Sequence, residues 1–425
     1  MLFAPSAARA AAPPPDSVGV HFELGATTDV SNELYYEQSY TDTTFLGRQL
    51  HGTPESHAAG VAALDLAGAS GAGRWGWALR PEATWGDVLQ RAEATGALRF
   101  RPDPAWRLAF EPRAEIERDQ SFGLDRREQL LGSSASARRR FADGSDAVLM
   151  RLDGEHLDTP GSNDPYLLAH RVGAASIGWE HDAVSGLGWE LRAEQDLRAF
   201  PDSTERDHRE RQFELNARRD FLGGHGISML VGLTQREPMH VVPGSRDHFD
   251  EARGELRATV RTGEAWALVA GLEGDGYRYA EPDSLVDFDY TVVRGQLHLR
   301  HDLGTRAWLG AGPRWERLSA PWNTAERYDE GAFSLEAEFL GATGWWMFEP
   351  SAGRRGYQAS ENGQSLDPNA IHSSYLFADV QVLGDQGLPR RWRARLTLSA
   401  RAEKHDDPSQ DSRSLYFSLD LRRLF

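Results

Sequence analysis

From Val18 to Phe425 apolar and polar residues alternate with a period of two. In Trp75–Trp85 the odd positions are Trp75, Trp77, Leu79, Pro81, Ala83 and Trp85, and the even ones are Gly76, Ala78, Arg80, Glu82 and Thr84. In an extended strand successive side chains point to opposite faces, so this spacing predicts strands with one greasy and one charged face. The same dyad runs through Arg91–Arg101, Trp106–Glu117, Leu187–Leu197, Phe213–Ala217, Ile227–Leu233, Ala252–Val260, Phe333–Phe339, Trp392–Ala402 and Leu415–Phe425. Arg126–Phe141 and Leu167–His181 alternate poorly.

The connections alternate in length. Short turns fall near Gly68–Gly73, Pro102–Ala105, Ala142–Asp146, Asp182–Gly186, Gly223–His225, Thr262–Glu264, Asp302–Thr305, Gly341–Gly344 and Gly384–Pro389. Longer polar stretches lie between them: Arg118–Arg127, Asp158–Tyr166, Pro201–Glu210, Glu237–Phe249, Ala280–Asp287, Ser319–Arg327, Gln358–His372 and Lys404–Asp411. A meander that crosses a membrane repeatedly gives this rhythm, with tight periplasmic turns and larger outer loops. The pattern predicts an all-β chain: a single closed antiparallel transmembrane β-barrel over residues 18–425, of about twenty strands, with 18 to 22 as the range. Both termini fall on the periplasmic side.

Tryptophan placement follows the same rhythm. Trp75, Trp77, Trp106, Trp189, Trp266, Trp308, Trp345, Trp346 and Trp392 come shortly after a short turn, and Trp179 just before one. An indole favours the headgroup level, half buried with its N–H wet, so a belt at one barrel end is expected.

Composition narrows the alternatives. A net charge of −17 argues against a nucleic-acid partner, which needs clustered Lys and Arg on a basic surface. The chain has no cysteine, so no disulfide framework holds it. The best apolar run, Ala265–Leu272, is far too short for a membrane-spanning helix. Residues 1–17 are rich in Ala and Pro, with small residues around Ala8 and Ala10 suited to cleavage, and read as a residual signal and Pro-rich linker ahead of the barrel. With so few residues ahead of the first strand, an N-terminal plug is not expected.

The C-terminal run Ser414–Phe425 resembles the terminal strand of bacterial outer-membrane β-barrel proteins, which ends in an aromatic residue preceded by alternating apolar positions. Phe425, Leu421, Leu419, Phe417 and Leu415 fit, and Arg423 departs. The resemblance extends over Val18–Phe425 as a pattern only and is porin-like without matching a named subfamily. It implies residence in the outer membrane, contact with its lipid and lipopolysaccharide, and engagement of the barrel-assembly machinery through the terminal strand.

The charged face supplies the candidate chemistry. Its expected lumen-lining residues are Arg80, Glu82, Arg91, Glu93, Arg99, Arg107, Glu111, Arg113, Glu115, Glu190, Arg192, Glu194, Arg253, Glu255, Arg257, Arg294, Arg300, Arg393 and Arg395, joined by Arg198, Glu336, Glu338 and Arg401. Arg and Glu on neighbouring strands can pair across the ladder and keep a water-filled wall rigid. The sharper alternative is a charge-selective path, with cationic and acidic ladders opposed.

Thr27–Ser56, the longest connection, carries Tyr35, Tyr36, Tyr40 and Phe45, more aromatic surface than a freely solvated loop should. It is expected either to fold inward as a constriction, the slightly favoured arrangement, or to form a hairpin above the membrane.

Enzymatic readings have little support. His240, Asp247, His248, Asp250 and Glu251 share a stretch expected to be one long loop, but their spacing matches no metal signature. His156 and His298 have no partner visible in the sequence. Gly68–Gly73 is a turn between strands and not a phosphate cradle. Asp202, Glu205, Asp207, Asp329 and Glu330 are expected in acidic, solvated loops. No catalytic residue, metal or cofactor is expected. The expected function is passive or weakly selective diffusion of small polar solutes; the alternatives are a structural or surface-interaction barrel, a polymer-export conduit, or a soluble all-β surface protein. Oligomeric state is left open.

Overall fold

The computed structural model describes residues 18–425 except 42–43, 71–72, 121–123, 142–143, 163–166, 241–247, 281–288, 322–325, 359, 362–363 and 366–371. For residues 31–55 only the backbone is described. The signal and linker reading of residues 1–17 lies outside the described residues.

The first strands are β1 (Val18–Thr41), β2 (Thr44–Ala69), β3 (Trp75–Gly86), β4 (Leu89–Phe100), β5 (Trp106–Asp119), β6 (Arg126–Arg140), β7 (Asp146–Asp158) and β8 (His170–Asp182). They continue as β9 (Leu187–Ala199), β10 (His208–Asp220), β11 (Gly226–Pro238), β12 (Phe249–Arg261), β13 (Trp266–Tyr279), β14 (Tyr290–Asp302), β15 (Ala307–Ser319), β16 (Tyr328–Leu340) and β17 (Gly344–Tyr357). In the next connection β18 (Ser360–Glu361) and β19 (Gln364–Ser365) pair only with each other. The wall ends with β20 (Tyr375–Leu388), β21 (Trp392–His405) and β22 (Ser412–Leu424).

Twenty of these strands form one sheet in which each pairs antiparallel with its neighbour, and β22 closes on β1 from Glu23 opposite Leu424 to Tyr35 opposite Ser412. Closure removes both sheet edges and gives wall backbone groups partners within the protein, which a hydrocarbon environment demands. The twenty-strand meander predicted from the alternation is the one observed.

β6 and β8 are regular strands despite their weak alternation. Their middles, Gly132–Ala137 and Gly173–Ser176, are Gly, Ser and Ala, small enough for either face, so hydropathy carries no signal there. The length rhythm has an exception on the long-connection side, where only Asp87 and Val88 join β3 to β4.

Thr27–Ser56 is not an irregular loop. β1 and β2 pair residue by residue from Val18 opposite Gly68 to Thr41 opposite Thr44, with one register shift at Ser39 and Tyr40. Tyr36 faces Leu50 and Tyr40 faces Phe45 along this ladder. β22 stops pairing with β1 at Tyr35, and β3 pairs with β2 only from Ala59 onward. At roughly 3.3 Å per residue, the tip stands about 20 Å beyond β22 and about 50 Å beyond β3. The segment is thus a paired hairpin that prolongs the β1–β2 ladder, and the expectation of a loop is corrected.

Large side chains on the apolar face are widely exposed, with Leu131, Leu152 and Ile116 at 60%, 62% and 61%. Most of the buried side chains lie on the polar face, among them Val61, Val269, Phe377 and His298, where neighbouring strands' side chains cover them. Arg423, the residue that breaks the terminal-strand pattern, sits on the apolar face between the rings of Trp392, 5.8 Å away, and Phe425, 4.6 Å away. Cation–π contact at the rim accommodates its charge.

Candidate functional site

Cross-strand register carries one parity around the whole barrel. Arg80 and Glu82 share a face with Arg91, Glu93, Arg99, Arg107, Glu111, Arg113 and Glu115. The same face carries Glu190, Arg192 and Glu194, then Arg253, Glu255 and Arg257, and then Arg294, Arg300, Arg393 and Arg395.

Most of these charges are paired. Arg91 contacts Glu93 at 2.8 Å and Glu115 at 2.7 Å, and Arg113 contacts Glu93 at 3.1 Å. Arg393 and Arg395 share Asp385, at 2.6 and 3.0 Å. Arg192 pairs with Glu194, Arg253 with Glu214, and Arg300 with Asp302. At the closing seam Arg80 contacts Glu23, Asp65 and Glu82 at 3.1, 2.8 and 2.9 Å, and Arg422 reaches the same Glu82 at 3.4 Å.

A longer chain of contacts runs from β13 to β21. Glu273 meets Arg294 at 2.7 Å, and Arg294 meets Glu316 at 2.6 Å. Arg355 bridges Glu316, at 3.4 Å, and Glu330, at 2.7 Å. Arg314 links Glu330 to Asp379 at 3.5 and 3.7 Å, and Arg401 links Asp379 to Glu403 at 3.8 and 2.7 Å. Aromatic rings brace it: Arg355 lies 4.0 Å over Tyr328, whose hydroxyl donates to Glu316, and Arg401 lies 4.9 Å over Phe377.

Sequence reasoning named Arg294 and Arg401 here but missed Arg314, Glu316, Arg355 and Asp379. It assigned Glu330 to a solvated loop, and that is corrected: Glu330 and Asp329 belong to β16, and Glu330 is buried. Asp207 is buried too, accepting from the Phe200 backbone N–H at 2.6 Å and contacting His240 at 3.2 Å. The available signal was parity: Tyr328, Tyr375 and Phe377 occupy charged-face positions, which marks side chains packed among the wall charges.

The grouping of His240, Asp247, His248, Asp250 and Glu251 does not survive as one loop. Asp250 and Glu251 lie in β12, and Asp247 is outside the described residues. Among the described residues no group of three or more His, Asp or Glu could hold a metal ion.

His298 has partners that the sequence did not reveal. Its Nε2 is 2.9 Å from the Ser334 hydroxyl and its Nδ1 is 3.4 Å from Glu336. Ser334 Oγ also lies 3.4 Å from the Gly312 carbonyl and is buried. A nucleophile needs access and an oxyanion site within about 3 Å of it. Here Ser334 and His298 are both buried, and the group reads as a buried polar brace.

Eight of the ten rim tryptophans lie on the apolar face. Trp308 and Trp345 fall on the charged face by register, opposite Glu338 and Asp385. The Trp308 indole donates to Glu338 at 2.8 Å beneath the Arg300 guanidinium.

No protein-family model and no curated protein sequence matches this chain. Among solved structures it is similar to the ferric enterobactin receptor PfeA of Pseudomonas aeruginosa, with 10% identity over 97% of this chain and 81% of that one and a TM-score of 0.55. It is similar to the alcaligin receptor FauA of Bordetella pertussis, with 12% identity over 95% and 76% and a TM-score of 0.50. The outer membrane protein opdK of Pseudomonas aeruginosa matches at 12% identity over 94% and 99%, with a TM-score of 0.44. At these identities the likeness is one of fold: the chain forms a single closed antiparallel β-barrel similar to that of outer-membrane receptors.

Proposed function

We propose that this outer-membrane barrel is a pore through which small polar solutes diffuse with weak selectivity, the charged face forming the lumen wall. One observation carries the reading: ion pairs on that face reach across two or three strands. Arg422 of β22 meets Glu82 of β3 at 3.4 Å with β1 and β2 between them, and Arg314 of β15 meets Asp379 of β20 across β16 and β17. Three strand spacings are roughly 14 Å of wall, too far for side chains fanning out from a convex surface. On a concave surface they converge.

Twenty strands at ordinary spacing and tilt enclose a cylinder about 40 Å across between backbones, wider than two opposed arginines can fill. Mutual pairing leaves such a wall hydrated, with little net charge per pair to hold a solute, which favours passage over capture. The similar structures named as receptors lend the fold, not a ligand.

Single-channel conductance in planar bilayers tests the proposal. Stable steps, with Arg91→Gln altering ion selectivity, are expected. An electrically silent barrel would overturn it and favour a structural role.

A further inference from the structure

In the ion-pair chain from β13 to β21 every arginine meets a carboxylate; at the short-turn end of β4, β5 and β6 this pairing stops. Arg99, Arg107, Arg138 and Arg140 lie there on the charged face, and Arg107 stands directly opposite Arg138. Arg107 is also close enough to Arg101, just past β4, and to Arg140 for their charges to repel. Among the described residues only Arg138 of this group has a carboxylate partner, Glu180 of β8. Arg99, Arg101, Arg107 and Arg140 are exposed. The wall around them is Ala78, Ala97, Ala109, Ser136 and Ala147, too short to cover a guanidinium.

Like charges directly opposed across a ladder are destabilising. A chain of net charge −17 has carboxylates to spare, yet among the described residues Arg99, Arg101, Arg107 and Arg140 meet none. Several guanidinium forks facing one volume suit an oxyanion, which each can bind with two parallel hydrogen bonds.

We propose that this arc is a binding site for a multivalent oxyanion, an oligophosphate or polycarboxylate, at the short-turn mouth of the barrel. That rim is the periplasmic one in barrels of this class. The inference rests on the proposed reading only in taking the charged face as the lumen wall. Clustered cations with open water before them raise the local anion concentration, and small neighbours leave room for the ligand.

The test is calorimetric titration of the full chain in detergent micelles at low salt with inorganic tripolyphosphate, then with citrate. Saturable binding is expected, weakened by about tenfold or more when two charge-assisted partners are removed in Arg99→Gln/Arg107→Gln. Arg209→Gln/Arg211→Gln, which removes two charges from the other face around Glu237, should bind as the parent does. Binding of both probes marks a general oxyanion site, and of tripolyphosphate alone a phosphate site. Because the Arg107 substitution relieves repulsion, that variant should be at least as heat-stable as the parent, which separates lost binding from lost fold. Absence of saturable binding, or equal binding by the Arg99/Arg107 variant, would overturn the site. A silent barrel that still binds tripolyphosphate would end the pore reading and leave the site standing, and a conducting barrel that ignores it would do the reverse.

Discussion

The indole of Trp315 in β15 lies over Gly295, its cross-strand partner in β14, so closely that a Cβ added to Gly295 would overlap the indole nitrogen and the carbons bonded to it. The relationship recurs at Gly60 opposite Trp85, where an added Cβ would sit 2.7 Å from the indole. Both pairs are on the apolar face, where no second sheet covers the wall, so a flat ring on a bare backbone supplies packing that a small residue cannot. Gly295→Ala should displace Trp315 and cost about 1–3 kcal/mol, the usual range for overpacking. Urea unfolding in lipid vesicles with tryptophan emission as the readout checks it; unchanged stability and emission would show that the ring is not seated.

Arg355 and Glu330 make the most enclosed pair in the ion-pair chain, with side-chain exposures of 20% and 7%. Arg355→Ala leaves Glu330 with only Arg314 at 3.5 Å. The expected loss is about 3 kcal/mol, since removing one partner strands a buried charge. The better-solvated Arg192 with Glu194 should cost under about 1 kcal/mol when broken. Equal effects at the two sites would mean that water reaches both alike.

Ser334, His298 and Glu336 are spaced like a hydrolytic relay but are closed to solute. A fluorophosphonate probe should leave Ser334 unlabelled in the folded barrel, and Ser334→Ala should cost about 1 kcal/mol through the lost hydrogen bonds. Mass-spectrometric detection of a Ser334 adduct would contradict the brace.

Asp125 lies in the connection between β5 and β6, held by Arg118 at 2.9 Å and Arg127 at 2.7 Å. Hydrogen bonds from Arg118 and then Arg127 hold its carboxyl well below the ordinary aspartate range. A depressed folded-state value means the clamp is fully present above the usual pKa of about 3.9 and is lost as pH falls through the lower, folded value. Carbon-detected NMR titration should show this, and Arg118→Ala should return the titration toward about 3.9. A normal titration in the parent would remove the clamp.

The β1–β2 hairpin runs beyond the strands on either side of it, so shortening it should not widen the proposed lumen. Deleting residues 37–50, beyond the last β22 pairing at Tyr35, should leave folding and single-channel conductance unchanged. A large rise in conductance would place the hairpin in the lumen instead.

The strand count, the all-β class and the two-faced wall were legible in the sequence because a barrel wall is written locally: each side chain's face follows from its parity within its own strand. The same locality explains what was not legible. β6 and β8 hid behind Gly, Ser and Ala, which suit either face. The hairpin passed for a loop because its pairing partners lie within itself, beyond any wall that would impose a two-sided pattern. Glu330 passed for a solvated acid because its burial comes from Arg355 and Arg314 on flanking strands. The sequence by itself determined which residues share a face. Only the tertiary structure decided which charges meet across two and three strands, and which arginines at the end of β4, β5 and β6 meet none among the described residues, because those distances depend on register and on the curvature of the closed sheet, and neither is encoded in any one strand.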